Sequence, residues 1–220
     1  MRPGGRVRED RRRDGTIVGA RPWHDEEELV LVRVDQSQRR RQIAAVVARL
    51  WAARGSRGCT IRAVARELGV SLTVVTNAFG TSAAMLEYTL LSLLDAWEGA
   101  GDALLERDAP PAARLKELLA SQCPLSAEGF DDARIWMDAT AARERPAWIS
   151  AACARYDAWL GDRVARLLRE CGVDPRFAPV LLVAVFGLNA APVQSPEAWP
   201  PECVAAILDD VLGSILGVAG

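Results

Sequence analysis

The side-chain amide of Asn77 presents a donor and an acceptor side by side, the pattern that pairs with an adenine edge in the major groove of DNA. It stands in "SLTVVTNAFG", residues 71–80, where Thr73 and Thr76 add hydroxyls for bases or phosphates and Leu72 adds an apolar contact. Thr60 and Ser71 are hydroxyl residues placed to start helices, and Arg39, Arg40, Arg41 and Arg62 bring guanidinium groups that fit phosphate oxygens. The run Arg39 to Arg41 also reads, more plainly, as the solvated start of a helix. These ten residues are the candidates for contact with double-stranded DNA.

A second set could hold a small molecule. Trp97, Trp136, Met137, Trp148, Tyr156 and Trp159 recur through the middle of the chain and could line an apolar cavity, although aromatics at helical spacing more often serve as core. Asp138 and Asp157 could receive a cationic ligand beside such rings, with a surface ion pair as the plainer alternative. Catalysis has less support. His24 is the sole histidine and falls in the irregular amino-terminal stretch, which argues against Ser-His-Asp, Cys-His and His-based metal sites. The adjacent pairs Asp131-Asp132 and Asp209-Asp210 would point apart on a helix, and neither a Walker loop nor G-x-G-x-x-G occurs. No enzymatic activity, cofactor or metal is expected.

What must position Asn77 is a pair of short helices. Ile61, Val64, Ala65 and Leu68 fall at i, i+3, i+4 and i+7, with Thr60 as an N-cap and Gly69 suited to a left-handed closing position. Ser71 can cap the next helix, in which Leu72, Val75 and Phe79 share a face while Thr73, Thr76 and Asn77 point elsewhere. Its β-branched residues favour a strand, but the period-two alternation of a strand is missing, so the periodicity predicts a helix. Two short helices across a tight glycine turn make a helix-turn-helix, whose second helix can enter a major groove.

The charge is distributed to match. Net charge is -2, yet residues 37–82 hold eight arginines against Glu67 alone, while residues 83–220 hold eleven basic and twenty acidic residues. With Lys116 the only lysine, arginine richness itself carries little weight; the near absence of acids in 37–82 carries more. Half of the 220 residues are hydrophobic, enough for a sizeable core. Five cysteines without C-x-x-C pairing, and no apolar amino-terminal stretch, lead us to expect a cytoplasmic protein. The most apolar segment, 177–193, reads as too short for a membrane span and contains Pro179, Asn189 and Pro192.

These features predict an all-α chain. Residues 1–36 read as a disordered arm or as sequence upstream of the true start, with Val32 and Val34 as alternative starts and only Leu29 to Val34 strand-like. Residues 37–82 form the DNA-binding domain, its first helix carrying Ile43, Val46, Val47, Leu50 and Trp51. Residues 83–220 form a helical domain with segments near 83–107, 111–121, 126–144, 146–171, 175–190 and 200–217. In the last, Val204, Ile207, Leu208, Val211, Leu212 and Ile215 make a stripe too broad for a solvated helix, which suggests a homodimer contact through 175–190 and 200–217.

Residues 39–86 resemble the DNA-binding domain of the tetracycline-repressor (TetR) family, through "RRRQIAAVVARLWAARG", "CTIRAVARELGVS" and "VVTNAFGTSAAML". The motif covers about a fifth of the chain, and the run of about nine helices extends it loosely to the end. The "VVT..F" helix and "IWMDATAARERPAWISAACARYDAWLGDRVARLL" are similar to the branch containing choline-responsive repressors. The resemblance implies a homodimeric, ligand-responsive repressor that binds a palindromic operator and releases it when an effector is bound. Where the family places an aromatic or histidine pair and a lysine for phosphates, this chain has Asn77, Ala78 and Ser82. Those departures keep open a second reading, a helical relative that has lost specific DNA binding and serves as a ligand-binding or interaction module.

Overall fold

The computed structural model describes the backbone of residues 26–141 and 146–217, with side chains from Gln36 onward. Its helices are α1 (Glu26–Arg54), α2 (Ile61–Leu68), α3 (Leu72–Phe79), α4 (Ser82–Leu105), α5 (Pro111–Ala120), α6 (Ala127–Ala141), α7 (Ala147–Glu170), α8 (Ala178–Gln194) and α9 (Pro201–Leu216). Short 3-10 turns occupy Ser56–Gly58 and Pro175–Phe177, and the described residues include no strand. Residues 1–37 and 38–220 are separate compact units.

Residues 1–25, with His24 and most of the expected arm, lie outside the described residues. From Glu26 the backbone is helical, which corrects the expectation that 26–36 is irregular and Leu29–Val34 strand-like. The reason is cooperativity: extending a nucleated helix costs far less than starting one, so a weakly helical sequence beside a strong one is drawn into it.

In the second unit the expected stripe of α1 is buried at Ile43, Val46, Val47, Leu50 and Trp51, and joins Cys59, Val64, Ala65, Val75 and Met85 in the core. The punctuation is local chemistry. Thr60 Oγ1 accepts from the Ala63 N–H at 3.1 Å, and Gly69 closes α2 in the left-handed region, at φ 67°. Thr81 Oγ1 accepts from Ala84 N at 3.1 Å and starts α4. Ser71 stands at the N-cap of α3, but its hydroxyl makes no cap hydrogen bond; the side-chain cap expected there is absent.

Helices α4, α5 and α8 gather on α7, while α6 and α9 pack on α8. Arg114 of α5 donates to the carbonyl of Leu105 (2.7 Å) at the end of α4 and to that of Ala109 (3.1 Å) in the segment that follows, satisfying oxygens the helix end and the turn leave open. On α9 the broad stripe divides: Val204, Leu208 and Leu212 are buried within the chain, while Ile207, Val211 and Ile215 are half-buried. Half of that stripe is therefore covered without a partner. On α8, Leu181, Val185 and Leu188 are buried, whereas Val180 and Val183 are 53% and 72% exposed. Pro175–Gln194 reaches 20 residues with mean hydropathy 1.7, long and apolar enough by composition to cross a membrane, where the sequence reading took a shorter segment. It packs along α6, α7 and α9 on one side, yet only 28% of that apolar window is buried within the chain.

Among the described glycines, Gly101 has the least room for a side chain. A Cβ there would meet Trp159 Cη2 at 2.5 Å and Leu118 Cδ1 at 3.2 Å, so α4 lies against the Trp159 ring only because position 101 lacks a side chain. Gly101→Ala should therefore destabilise the chain by about 1–3 kcal/mol through overpacking, despite alanine's better helix propensity. Urea midpoints of the two proteins measure this, and an unchanged or raised midpoint would show that the Trp159 ring can yield.

Candidate functional site

The α3 surface is sorted by the packing of one residue. Val75 is fully buried, and Leu72, Thr73, Thr76 and Asn77 are exposed. Thr60, Arg62 and Ser71 are exposed on the adjoining helix starts, and Arg39, Arg40 and Arg41 are exposed on α1. The arginines do not act alike. Arg40 Nε donates to the Ala78 carbonyl at 2.9 Å, and its guanidinium lies over the Phe79 ring at 5.7 Å. Arg40 thus holds the carboxyl end of α3 to α1, a role that a search for phosphate ligands does not suggest.

A cavity of about 140 Å³ lies among α4, α6, α7, α8 and the segment joining α5 to α6. Trp97, Trp136 and Tyr156, three of the six expected residues, line it. Their centroids are 5.6–6.4 Å apart in edge-on and tilted contacts, so they form one aromatic wall. Trp159 stacks on Tyr156 at 5.4 Å behind that wall, and its indole donates to Asp102 at 3.2 Å. Met137 and Trp148 do not line the cavity. Met137 is turned about 100° from Trp136 around α6, and Trp148 precedes Tyr156 by about two turns of α7.

The acid of the cavity is neither Asp138 nor Asp157 but Asp132, one turn before Trp136 on α6. The i, i+4 spacing to a chosen aromatic was the signal that could have found it. Its Oδ2 accepts the Trp97 indole N–H at 3.0 Å. Burial pushes its carboxyl up to about 6, helped by Glu128 and Asp131 and opposed by the Trp97 hydrogen bond. Gln122, Cys123, Val185, Phe186 and Asn189 also line the cavity and carried no sequence signal. Asp157 is exposed as a residue and lies outside the cavity lining, and the partial burial of its carboxyl raises it.

Asp138 serves elsewhere. Its Oδ2 accepts from the Trp51 indole at 2.7 Å and from the Ser56 backbone N–H at 3.0 Å. Burial alone would raise its carboxyl, but the bonds from Ser56 and Trp51 and the charge of Arg57 outweigh that and lower it. One carboxylate on α6 therefore fastens the turn after α1, and α6 also supplies Asp132 and Trp136 to the cavity.

No protein-family model matches the chain. The chain is 26% identical over 109 residues to the HTH-type transcriptional regulator PksA of Bacillus subtilis (strain 168). That match takes in 50% of this chain and 53% of PksA, so the chain spans about half the length of the curated relative it matches. Among solved structures, a transcriptional regulator of Saccharomonospora viridis in complex with choline is similar at TM-score 0.71 and 22% identity, over 80% of this chain and 96% of that one. A TetR-family transcriptional regulator from Rhodococcus sp. is similar at TM-score 0.66 and 21% identity, over 82% and 99%.

The titration of Asp132 has a consequence for stability. Its folded value of about 6 exceeds the ordinary 3.8, so across that interval the folded chain keeps a proton that the unfolded chain has lost. The stability this group contributes is complete below about pH 4 and is lost as pH rises through 6. Asp132→Asn, which cannot ionise, should flatten the fall. Urea midpoints of both proteins between about pH 4.5 and 7.5 test this, with parallel pH profiles as the contrary result.

Proposed function

We propose that this chain, which has the fold of TetR-family transcriptional regulators, is itself a DNA-binding transcriptional regulator. In this reading it is a ligand-responsive repressor acting in the cytoplasm as a homodimer on a palindromic operator. Residues 37–82 contact DNA, and residues 83–220 bind the effector and dimerise. The observation that carries the reading is the α3 surface: Val75 anchors the helix from beneath, while Thr73, Thr76 and Asn77 stand free on a segment with eight arginines and one acid.

The cavity chemistry supports an organic cation as effector. Trp97, Trp136 and Tyr156 offer π-faces, and the Asp132 carboxylate supplies the counter-charge. The similar Saccharomonospora viridis regulator was solved with choline, a cation of this class. Transmission follows from α6. A cation that draws Asp132 and Trp136 inward shifts the helix whose Asp138 holds Trp51 and Ser56, and so reorients α3. The two α3 helices of a dimer then no longer match successive major grooves, about 34–36 Å apart, and the operator is released. For the dimer contact, Val180, Val183 and the half-buried Ile207 and Val211 supply apolar surface on α8 and α9.

Selection of genomic fragments on the purified protein tests the central reading. It should return one inverted-repeat sequence bound with strong salt dependence; only weak, sequence-independent binding would favour the relative without specific DNA recognition. On that sequence Asn77→Ala should cost about 1–3 kcal/mol and relax one base position, whereas Arg41→Ala should weaken all DNA about equally. An unchanged consensus and affinity for the Asn77 variant would remove its assigned role. Sedimentation of Val183→Asp and Ile207→Asp should give monomers at low micromolar concentration, and dimers in both would place the interface elsewhere.

A further inference from the structure

The cavity carries a hydrogen-bond chain with one open position. Tyr156 Oη donates to Gln122 Oε1, and Gln122 Nε2 donates to Ser121 Oγ at 2.9 Å. Ser121 Oγ in turn donates to the Leu118 carbonyl at 2.8 Å. From α8, Asn189 Nδ2 donates to the Gln122 carbonyl at 2.9 Å. A carbonyl oxygen only accepts, so this contact fixes the Asn189 amide: the atom facing it is the nitrogen and the other is the oxygen. That Oδ1 is buried and has no hydrogen-bond partner among the described residues.

A buried acceptor left unpaired carries the full desolvation penalty of the group, and proteins leave few of them. Asn189 lines the cavity together with Val185, one helical turn before it, so a molecule that displaces the side chains covering Oδ1 can bring the missing donor. The Gln122 amide does not supply it: its Nε2 bonds Ser121, its Oε1 accepts from Tyr156, and no bond runs from it to Asn189 Oδ1 among the described residues.

We propose that Asn189 is the specificity-determining residue of this cavity, and that its Oδ1 selects organic cations that also bear a hydroxyl or N–H donor. This rests on the cation reading above and adds a second, independent requirement to it. The aromatic wall and Asp132 accept any small organic cation of suitable size, whereas Asn189 separates them by the polar group they carry. An analogue with a methyl in place of the donor leaves Oδ1 unpaired. An analogue ending in a carboxylate sets acceptor against acceptor and adds repulsion from Asp132. Sites built to bond a ligand's hydroxyl discriminate strongly against analogues without it, for this reason.

Calorimetric titration of the full-length protein with choline, propyltrimethylammonium and glycine betaine separates these requirements. The first two differ only by hydroxyl against methyl. The wild-type protein should bind choline at least about tenfold more tightly than propyltrimethylammonium, and betaine more weakly than either. Asn189→Leu, or Asn189→Ala if the leucine variant does not fold, should still bind propyltrimethylammonium while its preference for choline falls below about threefold. Equal wild-type binding of choline and propyltrimethylammonium would overturn the proposal and leave the cation reading standing, as would a preference that survives in the Asn189 variants. Failure of the wild-type protein to bind any of the three would overturn both readings together.

Discussion

The Trp51 indole lies 2% exposed at the end of α1, inside the core that α1, α2 and α3 build, and its N–H needs an acceptor that this core does not offer. The acceptor comes from Asp138 on α6, 87 residues along the chain, and the same carboxylate oxygen takes the Ser56 N–H. Gly55 makes the approach possible: it stands at φ 72°, and a Cβ there would come within 3.2 Å of Asp138 Oδ1. Together with the Ile61 N–H bond to Ser82 Oγ and the Phe79–Tyr88 ring contact, this polar contact ties the first three helices to the body, and two buried or half-buried donors depend on it.

That tie gives α6 two duties. Asp132 and Trp136 face the cavity, while Asp138 faces the turn after α1. Six residues of α-helix carry the chain about 9 Å along the axis and about 240° around it beyond one full turn, enough to place the two carboxylates in different environments. Asp132 is pushed up toward neutrality by burial, whereas hydrogen bonds and Arg57 hold Asp138 in its charged form. One rigid element thus joins the two acids, so a displacement of the first would reach the second. Coupling of this kind needs no long relay, because a packed helix moves as a body.

The α3 surface depends on a similar division of labour. Recognition requires exposed polar groups, yet an eight-residue helix with so many of them contributes little to its own stability. Val75 beneath it, the Arg40 contacts to Ala78 and Phe79, and the Phe79–Tyr88 ring contact at 5.4 Å supply the hold that α3 lacks by itself. One arginine of the basic run is thereby used to present the helix.

Local chemistry made much of this chain legible. Thr60, Gly69 and Thr81 mark helix ends because caps and left-handed glycines act over three or four residues, and the buried faces of α1, α2 and α4 follow from a period that any single helix must obey. The sequence by itself thus determined an all-α chain, the helix-turn-helix, the residues α3 exposes and the aromatic-rich middle. It misjudged residues 26–36, where a neighbouring helix overrides local preference. Only the tertiary structure decided which acid meets the aromatic wall, which acid holds Trp51, that Arg40 braces α3, and that Asn189 keeps an unpaired oxygen. These depend on contacts across 35 to 87 residues, apparent only once helices distant in sequence are packed together.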